Sequence, residues 1–153
     1  MVGVEQGAVA ERLDEAARAC SLKGAQLTEL RRQVLALIFD AAGPVTAYQL
    51  LDRLRDCRKG AAPPTVYRAL DFLLEQELIH RIERLNAFIA CADTGHHHHL
   101  VQLLICRQCG SVAEVEDCAA AAALDEVAER SGFHPAAAVV EVEGVCADCA
   151  KPS

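Results

Sequence analysis

A chain of 153 residues, 52% apolar and 24% charged, has the make-up of a folded globular protein and excludes a disordered or fibrous one. No run approaches the roughly 20 apolar residues that span a bilayer, and the opening residues lack the basic start and apolar stretch of a secretion signal. A cytoplasmic protein without membrane contact is therefore expected, and its eight cysteines are expected to be thiols rather than disulfides.

The formal charge of −7 is unevenly held. Residues 1–84 carry 12 Lys+Arg against 12 Asp+Glu, and residues 85–153 carry 3 against 10. Such asymmetry suggests two parts with different work, and any nucleic-acid contact belongs to the first.

In chain order, the spacing of Val9, Leu13, Ala16 and Cys20 predicts a helix over residues 4–20. A second helix starts after Thr28, a suitable N-cap, and stops before Gly43-Pro44, with Leu30, Val34, Leu37 and Ile38 as its apolar face. Thr46 caps a third, which buries Leu50, Leu51 and Leu54. A fourth follows the Pro63-Pro64 break and runs to Leu78, with Val66, Ala69, Leu70, Leu73 and Leu74 as its stripe. Two short alternating runs about Asn86 read as a hairpin. Packed helices followed by a two-stranded wing describe a winged helix.

The stripe of the fourth helix leaves Tyr67, Arg68 and Asp71 on the opposite side, toward its N-terminal end. A helix-turn-helix reader contacts base edges there, and Arg is the commonest partner of guanine. Arg31, Arg32, Arg53, Lys59 and Arg81 are available for phosphates. The same pattern also fits a plain solvated helix face.

Beyond residue 99, "LVQLLIC" and "SVAEVE" are strand-like, with Cys109-Gly110 between them as the turn. A helix opens at Asp117 and closes at Gly132, and a last strand alternates Val140 and Val142 with Glu141 and Glu143. This small α/β unit has an exposed sheet, so pairing with a second copy is expected.

Cys106-x-x-Cys109 is matched by Cys146-x-x-Cys149, with 36 residues between the pairs. Two such pairs supply the four thiolates of a closed zinc site, which would tie the last strand to the first. Metal-competent groups remain at His80, Cys91, His96, His97, His98, His99 and Glu114. In an extended run His97 and His99 share one face, and His96 and His98 the other. A histidine run of this kind also reads as a loop that binds metal loosely.

The stretch "PPTVYRALDFLLEQELIH", the pair "ICRQCG" and "VCADC", and the His-rich segment between them resemble the ferric uptake regulator family, most nearly its zinc uptake regulator branch, over roughly residues 10–150. The resemblance implies a dimeric, metal-activated repressor of palindromic operator DNA. It implies an α+β chain with a winged-helix DNA-binding domain at 1–84, a hinge at 85–91, and an α/β dimerisation and metal-binding domain at 92–153 that holds structural zinc. Tyr67 and Arg68 would read the operator, with Thr65 and Arg31 as further DNA contacts. Cys106, Cys109, Cys146 and Cys149 would hold structural zinc. A regulatory zinc would take His80, Cys91, His99 and Glu114, with His97 as the alternative to His99. Two zinc ions per chain are implied; some relatives carry a third site on the His-rich segment.

Two positions depart from the family pattern. Glu29 stands where relatives commonly have proline, and Leu103 where many have a histidine. One thiolate, two imidazoles and one carboxylate suit tetrahedral Zn(II), whereas iron sensors take more oxygen and nitrogen. With four protein ligands no position is left for a reacting water, so an enzyme is not expected. The alternatives are an iron- or peroxide-sensing repressor of the same family and a purely structural zinc protein.

Overall fold

The structure, a computed structural model, describes residues 2–92 and 100–152. It divides into two compact units, Met1–Gly95 and His96–Ser153. Among the described residues no helix is long and apolar enough to cross a membrane.

The first unit runs α1 (Val2–Leu22), α2 (Glu29–Asp40), β1 (Val45–Thr46), α3 (Ala47–Cys57), α4 (Pro63–Glu75), β2 (Ile79–Ile82) and β3 (Ala87–Ala90). Its core is built from the helical stripes the sequence marks. Leu13, Ala16 and Cys20 of α1, Val34 and Ile38 of α2, Leu50, Leu51 and Leu54 of α3, and Val66, Ala69, Leu70 and Leu73 of α4 are all buried. Leu35, outside the expected face of α2, is fully buried as well.

Helix ends follow their capping chemistry. Thr46 and Gln49 form a reciprocal capping box, Gln49 N–H donating to Thr46 Oγ1 at 3.2 Å and Thr46 N–H to Gln49 Oε1 at 2.9 Å. Thr28 does occupy the N-cap of α2, but its hydroxyl makes no cap bond. The fourth helix stops at Glu75, three residues before the expected Leu78. There Glu77 turns left-handed (φ 59°), Leu78 N–H reaches back to Leu73 O at 3.0 Å and Glu77 N–H to Leu74 O at 3.0 Å. This is a Schellman closure made without glycine, hence without a sequence signal.

The wing has three strands in the order β1-β3-β2, because Val45 and Thr46 pair with Phe88 and Ala87 on the outer edge of the hairpin. Asn86 makes the left-handed turn residue (φ 45°), and Arg81 Nη2 donates to its side-chain oxygen at 3.1 Å. The expected hinge over 85–91 is thus largely occupied by β3, which is hydrogen-bonded to strands on both sides.

The second unit runs β4 (Leu100–Cys106), β5 (Val112–Val115), α5 (Cys118–Arg130), β6 (Ala138–Gly144) and the short α6 (Ala147–Ala150). β4 is central, antiparallel to β5 and parallel to β6. Asp117 caps α5 by accepting from the Ala119 and Ala120 N–H groups at 2.8 and 3.0 Å. Gly132 (φ 68°) closes it, as the sequence indicates.

Candidate metal centres and nucleic-acid interface

The register of the second sheet brings the cysteines together. Parallel pairing of β4 with β6 ends at Cys106 opposite Gly144, so both strands leave the sheet at the same edge. After β4 a tight turn forms, Gly110 N–H donating to Cys106 O at 3.0 Å with Gly110 left-handed (φ 72°). After β6, Cys146 occupies the N-cap of α6 and Cys149 lies one turn further along. The four sulfurs lie within 4.8 Å of one another.

Their distances fit a zinc ion. A tetrahedron of zinc–sulfur bonds about 2.3 Å long has edges of about 3.8 Å, and Cys109 Sγ lies 3.8 Å from Cys146 Sγ. Backbone donors already face the sulfurs, as thiolates require. Hydrogen bonds from the Cys109 and Cys146 amides, the latter at 3.3 Å, are the main reasons the Cys106 thiol is held down to about 6. Cys109 is also lowered, first by the Ser111 hydroxyl at 3.1 Å. Cys149, by contrast, is pushed up to about 12 by the side chains of Cys146 and Cys109. Four sulfurs this close cannot all ionise alone; a cation among them is what lets the last proton leave.

In the first unit, His80 on β2 pairs with Ile89, and Cys91 follows β3 with its N–H on Leu78 O at 3.0 Å. Residues two apart on a strand share a face, so His80 and Cys91 are diagonal neighbours there. Their ligand atoms lie within 4.8 Å. Cys91 is buried and His80 half-buried. Glu114 stands on β5 opposite Leu103, in the second unit. His96, His97, His98 and His99 lie outside the described residues.

On α4, Tyr67 and Arg68 are exposed while Val66 and Ala69 on either side are buried, and Thr65 is half-exposed. Pro63 and Pro64 open the helix, fixing its start without needing N–H partners. Of the expected phosphate contacts, Arg53 and Lys59 are exposed. Arg32 pairs with Asp14 at 2.7 Å, and Arg81 lies 3.5 Å from Glu83. Arg31 donates to Gln26 O at 2.8 Å and stacks over the Phe72 ring at 3.7 Å. Sequence reasoning passed over Tyr48, 77% exposed in the first turn of α3. The signal was present, since the stripe of Leu50, Leu51 and Leu54 leaves this aromatic outside.

The remaining cysteines divide by surroundings. Cys20 is buried, and burial pushes its thiol up; Cys57 and Cys118 are exposed.

Comparison with known proteins agrees with this geometry. The ferric uptake regulator family model matches residues 22–143. The zinc uptake regulation protein of Escherichia coli (strain K12) is 38% identical over 151 residues, covering 95% of this chain and 85% of that protein. A zinc uptake regulator solved in complex with zinc and DNA superposes with a TM-score of 0.88 at 38% identity, covering 92% of this chain and 94% of the other. The holo form of XcZur superposes with a TM-score of 0.82 at 46% identity, covering 90% and 96%. Family match, identity over nearly the whole chain and a shared fold converge: this chain belongs to the ferric uptake regulator family, in its zinc uptake regulator branch.

Proposed function

We propose that this chain is a zinc-responsive, sequence-specific repressor that binds palindromic duplex DNA as a homodimer and turns down zinc-uptake genes when zinc is plentiful. The observation that carries this reading is the His80–Cys91 pair, two ligand-competent side chains set side by side in the wing of the unit that presents Tyr67 and Arg68. A buried thiol alone would serve packing, but a thiol and an imidazole within 4.8 Å of each other also form half of a tetrahedral metal site.

In this reading the first unit is the DNA-binding domain and the second the dimerisation and metal-binding domain. Arg68 and Tyr67 read base edges, and Thr65, Arg53, Lys59 and Tyr48 add phosphate or groove contacts. Cys106, Cys109, Cys146 and Cys149 hold a structural zinc. His80, Cys91 and Glu114, with His99 or His97, hold a regulatory one, giving two per chain; His96 and His98 are left for a third. Zinc held by these residues would supply bonds that join its ligands and no redox chemistry. Because the proposed regulatory ligands come from both units, filling the site narrows the orientations the dimer samples toward those that fit successive major grooves.

The single soft thiolate among the regulatory ligands favours zinc over iron. Having four protein ligands favours binding over catalysis, and a gene regulator of this kind works in the cytoplasm. Pairing is supported by the second unit's surface, where Leu104, Leu124, Val127, Phe133, Val139 and Val142 are exposed in the single chain.

The test is binding to duplexes enriched from a random pool, across buffered free zinc, with protein that retains one tightly held zinc per chain. A steep gain in affinity as a second zinc loads is expected. Equal binding at every zinc level would reduce the metal to a structural role, and no enrichment of any duplex would overturn the repressor reading.

A further inference from the structure

Arg31 was expected among the DNA contacts, yet the fold uses its guanidinium internally. Nη1 donates to Gln26 O at 2.8 Å, and the carbon of the guanidinium lies 3.7 Å from the centre of the Phe72 ring. Gln26 precedes α2, and its carbonyl also accepts the Thr28 N–H at 3.1 Å. Phe72 lies on α4 one turn beyond Arg68, on the same side of the helix. Arg31 therefore joins the entry of α2 to the helix that presents Tyr67 and Arg68.

Other directional contacts lie just outside that helix, from Arg55 Nε to Ala61 O at 3.2 Å and from Lys23 Nζ to Gln76 O at 3.3 Å. Its N-cap, Ala62, makes no side-chain cap bond, and the prolines at its start donate no N–H. Val66, Ala69, Leu70 and Leu73 hold it by burial, which sets the face that turns inward and leaves to directional contacts only the last few degrees that aim an exposed side chain. A planar cation stacked on Phe72 and anchored by a short hydrogen bond is a restraint on that aim from the middle of the helix, one turn from Arg68.

We infer that Arg31 is a positioning residue for DNA reading, acting through Phe72 to aim Arg68 and Tyr67, and does not neutralise a DNA phosphate. The inference rests on the repressor reading above. The two roles differ measurably. A lost phosphate contact weakens all DNA about equally and lowers the slope of log affinity against log salt by about 0.9. A lost positioning contact weakens the selected sequence, leaves random DNA alone and leaves the slope unchanged.

The test uses full-length protein loaded with zinc and the duplex that the wild type enriches from a random pool. Arg31→Lys keeps the charge but not the stacking plane, and Phe72→Leu keeps the apolar volume but not the ring. Each is expected to lower affinity for the selected duplex about two- to fivefold, the size of one cation–ring contact. Random duplex binding and the salt slope should not move. The double variant should be no worse than either single one, and Phe72→Tyr should restore wild-type selectivity. Near-normal selectivity in Arg31→Lys, with a reduced salt slope in Arg31→Gln, would overturn the inference and return Arg31 to the phosphates. An equal loss of selected and random binding in Phe72→Leu would overturn it too. Failure of the wild type to enrich any duplex strikes the repressor reading instead, so the two failures are distinguishable.

Discussion

Cys91 is 2% exposed, and beside it stands an imidazole rather than an aliphatic side chain. Cys20 is equally buried but is packed in the helical core, where burial keeps its thiol protonated. The same side chain is therefore expected to behave oppositely at the two places. Cys91→Ser should weaken regulatory zinc binding by about 100-fold or more, since even outer partners of a metal ligand are worth 10–100-fold. The readout is the free-zinc concentration at half-maximal DNA binding, with the thermal unfolding midpoint as the control for folding. Cys20→Ser should lower that midpoint and leave the zinc response where it was. A Cys91→Ser protein that responds at the wild-type zinc level would remove Cys91 from the site. The four-cysteine cluster was legible in the sequence because each CxxC fixes its own two sulfurs locally. Glu114 has no such spacing, for its place depends on strand register against Leu103; its residue type marked it as metal-competent, and only the family resemblance put it in the regulatory set.

At the scale of elements, periodicity identified the helices of the first unit, while their ends depended on bonds that residue types only partly reveal. Thr46 and Thr28 look alike as N-caps, but only Thr46 makes the bond. Thr46→Ala should cost about 1 kcal/mol and lower the midpoint of the first unit by roughly 4–8 °C. Thr28→Ala should stay within about 0.5 kcal/mol. Equal losses at both threonines, measured by thermal or urea unfolding, would mean that α2 relies on a hydroxyl cap after all. The other misreadings have similar causes. β1 is two residues long, too short for any alternation to show, and exists because it pairs with Phe88 and Ala87. Glu77 takes a left-handed conformation usually left to glycine, so the end of α4 carried no signal. The wing hairpin was legible, and its second strand covers most of the residues expected to form the hinge.

Across the whole molecule the two units differ in how they can be stable. The first has a contiguous core drawn from four helices and the wing. Among the described residues of the second, the buried apolar ones are Val101, Leu103, Ile105 and Cys106, all on β4, and no residue of α5 is buried in the single chain. A unit of this size with so little core needs other support. The four thiols at the end of β4 and β6 offer one source, since metal binding there adds directly to folding free energy. Burial of Leu124, Val127, Phe133 and their neighbours against a second copy offers the other. The two are coupled, because the surface that pairs exists only while the sheet is held. Stripping the tightly bound zinc with a strong chelator should therefore convert dimer to monomer in sedimentation. Thermal unfolding should then separate into two transitions, the first unit retaining most of its helical circular dichroism. Val127→Glu should also give monomer, but with its tightly bound zinc still in place. A chelated protein that remains dimeric and unfolds in one step would show that the cysteine cluster contributes nothing to the frame on which the sensor is built.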